Sequence, residues 1–317
     1  MPFDFDAVST PFRMQPGLRR LAPGAYQLTP TRPGDPTLRE KLAVLTSHPD
    51  QALLKSPGFD PHPATRALFE HAATEHPDAW RRAPDGTVRA MHLGWRVRHG
   101  VATPDRPDAL EQIGRCLAAL PPDWRSTALW CLAFAEDLAV IDGSSAHIPW
   151  LAVCLPSHWA PEHKIGRHFA DVHAPVADNQ LLIAASDHLA RLVTGHERWE
   201  RWVWNITNRP DLDAHPARRP PLPWPAHTSA DPLAAQAFLR TERQTFIPLA
   251  EHRQAVFTIH VESQPLAQAI TDPAQAQRLH DALHSMSAAV LAYRGLTDAR
   301  DRLLSWLHAR SAEGGTG

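Results

Sequence analysis

Lysine is nearly missing from this chain. Lys41, Lys55 and Lys164 are the only ones among 32 basic residues, so the positive charge is carried by arginine. Against 34 acidic residues the net charge is -2 and the pI is near 6.9. No basic field exists to draw nucleic acid or an acidic membrane. Cysteine is scarce too. Cys116, Cys131 and Cys154 are odd in number and widely spaced, which excludes a disulfide framework and a Cys-x-x-Cys metal site and predicts reduced core thiols in a cytoplasmic protein. No apolar run reaches the roughly 18 residues of a membrane span, and no charged-then-apolar leader is seen. Also lacking are a Gly-x-Gly-x-x-Gly after a strand, a cysteine cluster for iron–sulfur, and His-Glu-x-x-His for a hydrolytic metal.

What is present is an ordinary globular composition, 43% apolar with a mean hydropathy of -0.34. The pattern predicts a single domain over 1–317, α+β in class, with an antiparallel sheet of about five strands flanked by N- and C-terminal helices. Residues 1–35 read as an irregular arm pinned by Phe3, Phe5 and Phe12, and 36–120 as a helical region whose third helix starts at Asp108 and buries Leu110. Thr127–Ile141, apolar on both faces, reads as a central strand, returning through the Asp142–Ser145 turn to Ile148–Leu155. A helix is expected over 179–195 and an aromatic strand over 198–206. A Pro-rich loop or lid follows over 209–232, then strands at 238–249 and 254–262. One long helix opened by Asp272-Pro273 and a last one capped by Thr297 fill 272–309, and a glycine-rich tail, 314–317, is expected to fray.

The chemistry concentrates between Cys154 and Val176, CLPSHWAPEHKIGRHFADVHAPV. His158, His163, His168 and His173 recur every fifth residue, a spacing that gathers them on neither a helix face nor a strand face. A four-histidine metal cage is therefore not expected; one imidazole serving as an axial ligand suits the pattern better. Glu136 and Asp137 interrupt an apolar run, so one of them should face a cavity or a partner cation, or the strand ends there at solvent.

Several motifs in order give the chain a resemblance. They are Glu136-Asp137-Leu138, Leu155-Pro156-Ser157-x-Trp159, Lys164-x-Gly166, Val172-His173-x-Pro175-Val176, Arg240-x-Glu242-Arg243-Gln244, Pro248-Leu249 and Phe257-Thr258-Ile259, with Tyr293-Arg294-Gly295-Leu296 near the end. Together they resemble the haem-dependent oxidative N-demethylases, whose catalytic subunit oxidises dimethylamine. The resemblance implies a PAS-like haem-binding core over 127–262 and haem b as cofactor. His173 is the implied metal ligand, and Lys164, Arg240, Trp159 and Trp204 would hold the cofactor. Glu242, Arg243, Gln244 and Arg201 are the implied catalytic residues. An amine and O2 would be the small-molecule substrates, and the electrons would come from a separate flavin- or ferredoxin-type reductase. Along a strand, either Glu242 and Gln244 face the pocket with Arg243 behind the sheet, or the reverse. Two departures are visible. Pro175-Val176 is followed by Ala177 where the family has proline. Arg201-Trp202-Val203-Trp204 also lacks the amide of the family's Arg-x-Asn-Trp, which leaves a biosynthetic oxygenase on a larger or aromatic substrate as an alternative. A PAS-like gas sensor is the alternative of another class.

Overall fold

The computed structural model describes residues 2–312; the tail 314–317 lies outside them. After an arm containing β1 (Arg19–Arg20), the chain forms α1 (Pro36–Ser47), α2 (Pro49–Ala52), β2 (Leu53–Lys55) and α3 (His62–Glu75). Four short strands follow: β3 (Trp80–Arg82), β4 (Val88–Ala90), β5 (Trp95–Arg98) and β6 (Val101–Pro104). Then come α4 (Glu111–Ala119), α5 (Pro122–Ala133), β7 (Asp137–Asp142) and β8 (His147–Ala152). Three short helices, α6 (Phe169–His173), α7 (Gln180–Ala184) and α8 (Ser186–Val193), lead to β9 (Trp199–Thr207). The chain closes with α9 (Ala230–Ala234), β10 (Phe238–Leu249), β11 (Gln254–Pro265), α10 (Leu266–Ala269), α11 (Pro273–His284), α12 (Ala288–Tyr293) and α13 (Arg300–Ala312).

The class is α+β. The main sheet is antiparallel and seven-stranded, ordered β1-β9-β10-β11-β7-β8-β2. The sheet exceeds the expected count of about five strands; β1 and β2 are edge strands of two and three residues, too short to carry a period. A second sheet, β3-β4-β5-β6, corrects the all-helical reading of 36–120. Its signal was arginine alternating with Trp80, Val88, Trp95 and Val97, whose side chains are buried while the arginines face outward.

The reading of Thr127–Ile141 as one strand is also corrected. Its first half is the end of α5, and β7 begins only at Asp137. Every residue from Thr127 to Ala133 is buried, so no amphipathic stripe remains to reveal a helix. Pro122 at the first turn and the alanines and leucines of the segment suit helix instead. The long helices at 179–195 and 273–293 are each broken. The first divides at Ala185. The second divides before α12, whose Ser287 cap accepts a hydrogen bond from Val290 N at 3.1 Å. Helix α4 starts at Glu111, leaving Leu110 exposed before it, and the last helix starts at Arg300, beyond Thr297.

One core lies among α1, α3, α4, α5 and both sheets; another joins α11, α12 and α13 to Trp204, Ile206 and Leu239. Phe3, Phe5 and Phe12 of the arm pack against the second. Lys41 of α1 is wholly buried. It donates to the carbonyls of Phe134 (3.1 Å) and Glu136 (2.6 Å), and its Nζ lies 3.1 Å from Asp137 Oδ1. Asp137 Oδ2 accepts from Leu155 N at 2.6 Å, so this one ion pair ties α1 to the start of the histidine stretch. Glu136 instead meets His260, Oε1 to Nδ1 at 3.0 Å. Among the described residues no helix is long and apolar enough to cross a membrane.

Candidate functional site

Strands β10 and β11 pair over all twelve residues without a slip, with β9 on the other side of β10. Period-two alternation then divides their side chains cleanly. Arg240, Glu242, Gln244 and Phe246 fall on one face, opposite Asn205, Val203 and Arg201 of β9 and beside Ile259 and Phe257 of β11. All nine border one cavity of about 310 Å³, within the range of about 300–1,000 Å³ usual for small-molecule sites. On the opposite face Arg243 donates through Nε and Nη2 to Glu200 Oε2 at 3.0 and 2.9 Å, and Thr245 bonds Thr258 at 2.6 Å. The first of the two parities is the one adopted.

The roof of the cavity is the segment after β8. At the Pro156–Trp159 corner, His158 takes a left-handed backbone with φ +63, uncommon for a residue with a Cβ. The conformation is held from outside. Arg240 reaches up from β10 and donates Nε to Ser157 Oγ (2.8 Å), Nη1 to Asp211 O (2.8 Å) and Nη2 to Leu212 O (2.6 Å). The Pro-rich segment is thus a buckle. Ala214 exchanges backbone bonds with Pro156 and His158 at 3.0 Å, and Arg218 grips Asp213 with two 2.8 Å bonds. His215, buried, has its Nδ1 occupied by Ala217 N, so its Nε2–H donates to Glu162 at 3.1 Å.

His173 closes α6. Its Nδ1 lies 2.8 Å from Phe169 O, and since a carbonyl can only accept, Nδ1 carries the proton and Nε2 keeps its lone pair. Burial, with Arg201 and Lys164 nearby, pulls this imidazole down to about 4, so it is neutral at physiological pH. His158 is likewise lowered to about 4, by burial and then by Arg240 and Arg209. Both border the cavity. His163 and His168 do not; His168 Nε2 contacts Asp187 at 3.1 Å instead. Lys164, lowered by burial, donates to Val172 O at 2.5 Å, which fastens the turn before His173.

The cavity's charges do not balance. Lys164, Arg201, Arg240 and Arg294 border it, against Glu242 alone. None of the four cations makes an ion pair among the described residues, and Glu242 accepts only from Gln244, at 2.6 Å. The Nε atoms of Arg201 and Arg294 are buried without a hydrogen-bond partner. A haem requires one imidazole with a free nitrogen fixed by its other nitrogen, apolar walls for the ring, and cations for two propionates. His173 offers the first. Ile148, Leu151, Phe257 and Ile259 are apolar wall residues, and Arg201 and Lys164 have donors to spare. The residues fit the group.

Of the residues singled out from sequence, His173, Lys164, Trp159, Trp204, Arg201, Arg240, Glu242 and Gln244 all border this cavity. Arg243 does not, being committed to Glu200 behind the sheet, and this corrects its reading as a site residue. Arg240 lies at the cavity, but its three nitrogens are spent on the roof. Arg294 and Met14 were missed as lining residues, since only tertiary packing brings a helix end and the arm to β9. Residues 37–304, most of the chain, match the family described as haem-dependent oxidative N-demethylase, alpha subunit-like. With that match, the chain belongs to the haem-dependent oxidative N-demethylase alpha subunit-like family.

Proposed function

We propose that the protein is an oxygenase that N-dealkylates an amine at a haem b bound in the cavity, with His173 Nε2 as the iron ligand. The single observation that carries this is the state of His173: neutral, tautomer fixed by Phe169, its Nε2 without a hydrogen bond among the described residues, beside a cavity rimmed by cations that make no ion pair among those residues. Bound haem would supply dioxygen activation, chemistry that no side chain provides. Lys164 and Arg201 would hold the propionates, and Trp159 and Trp204 would flank the ring. Glu242, fixed by Gln244, is the one carboxylate lining the cavity among the described residues and would receive the substrate's ammonium. In the net reaction an N-methyl carbon leaves as formaldehyde and the amine keeps a proton. One oxygen atom of O2 goes to the aldehyde and the other to water, with two electrons and two protons delivered by a separate flavin- or ferredoxin-type reductase.

Val203 lies directly across from Glu242 on the cavity face. The departure from the family's Arg-x-Asn-Trp therefore falls on the cavity wall and removes a hydrogen-bonding amide there, which supports a substrate other than dimethylamine. The test is spectroscopic and chemical. The purified chain should show a Soret band that His173→Ala loses and added imidazole restores. Incubation with a reductase, O2 and N-methyl amines should release formaldehyde. A colourless chain that takes up no haemin would end the proposal. A coloured one that oxidises nothing would turn it toward gas sensing.

A further inference from the structure

A second cavity, of about 330 Å³, lies between the N-terminal arm and β9. It shares Met14, Leu182, Arg201, Val203, Trp204 and Arg294 with the first, so the two meet along a common wall. Arg294 stands at this seam. Its guanidinium carbon lies 4.5 Å from the centre of the Phe12 ring and 5.2 Å from that of Trp204, and Nη1 donates to Trp204 O at 2.6 Å. These contacts fix the guanidinium while its buried Nε–H has no hydrogen-bond partner among the described residues. The Nε side of an arginine is a fork that matches the two oxygens of a carboxylate.

The charge count points the same way. With the substrate's ammonium on Glu242 and two propionates on Lys164 and Arg201, two cations stay unmatched at the first cavity, Arg240 and Arg294. Arg240 has spent its donors on the roof, so the free positive group is Arg294. A buried, unpaired guanidinium is costly unless an anion completes it.

We propose that the substrate is a carboxylate-bearing N-alkyl amine, its carboxylate on Arg294 at the seam between the cavities and its nitrogen toward Glu242. This rests on the amine-oxidising reading and narrows its substrate class. Two matched pairs test it, each differing by a carboxylate alone: N-methylglycine against dimethylamine, and N-methylphenylalanine against N-methylphenethylamine. Calorimetric titration of the protein as purified should show the acid of at least one pair binding about tenfold tighter or more than its amine. Arg294→Gln should abolish that preference while leaving the Soret absorbance per chain unchanged. Acids that bind no tighter than their amines, or a preference that survives Arg294→Gln, would overturn the proposal. So would loss of haem from Arg294→Gln, because the guanidinium would then serve the cofactor. A carboxylate preference without any aldehyde release would instead sink the demethylase reading and leave this one standing.

Discussion

Replacing Lys41 with methionine isolates the buried pair under the site. Lysine and methionine have similar length, so little cavity opens, and the change is chiefly electrostatic. The substitution strands Asp137 Oδ1 in a dry interior and takes a donor from the carbonyls of Phe134 and Glu136. Removing one member of a buried pair costs about 3–5 kcal/mol, a third or more of the total stability of many domains. Asp137→Asn in the same chain removes the stranded charge yet keeps an oxygen for Leu155 N, so the double variant should regain about 1–3 kcal/mol. Burial alone would lower the Lys41 ammonium, but Asp137, with smaller help from Cys131 and Cys154, holds it above its ordinary value of 10.5. The pair's contribution is therefore present below pH 10.5 and is lost as pH rises through the folded value. Urea unfolding followed by tryptophan fluorescence and far-UV circular dichroism gives both numbers. A single variant within about 1 kcal/mol of wild type, or a double variant no more stable than the single, would refute the reasoning.

Three further outcomes are expected. In the haem-free chain, His158 and His173 stay neutral to about 4 while their unfolded counterparts titrate near 6.5. The unfolded state therefore binds more protons in that window, and stability should fall with acid by up to about 3 kcal/mol per histidine, a slope that His158→Gln should reduce in pH-dependent urea titrations. Arg240→Met removes the donors that join Ser157 to the Asp211–Leu212 carbonyls and should cost about 3–5 kcal/mol; limited proteolysis should then cut within 209–220, and an uncut, equally stable variant would contradict the buckle. Glu242→Gln should raise the KM for an amine about tenfold or more while the Soret absorbance stays unchanged, and an unaltered KM would remove Glu242 from substrate binding.

Much of the cavity was legible because β10 and β11 alternate strictly, so one register decision assigns a dozen side chains at once. Arg243 shows the limit of that legibility. Parity says that it opposes Glu242 but not which side holds the cavity, and Glu200, the partner that decides, lies 43 residues away. The α5 helix was hidden for the opposite reason: burial on all sides erases the period that distinguishes helix from strand. The grip of Asp213–Arg218 on the Pro156–Trp159 corner depends on segments more than fifty residues apart, which no local pattern encodes.

The division of labour across β10 has an evolutionary consequence. Positions 240, 242 and 244 look into the chamber, while 243 and 245 bond the neighbouring strands and the Tyr26–Gln27 stretch of the arm behind the sheet. Chemistry can therefore drift at 242 and 244 without loosening the fold, whereas 240 also holds the roof, and mutations that loosen the fold at 243 and 245 need not touch substrate choice. A single inserted residue, by contrast, would exchange the two sets and cost both at once. Descendants of this chain should diversify by substitution along that strand and almost never by changing its length.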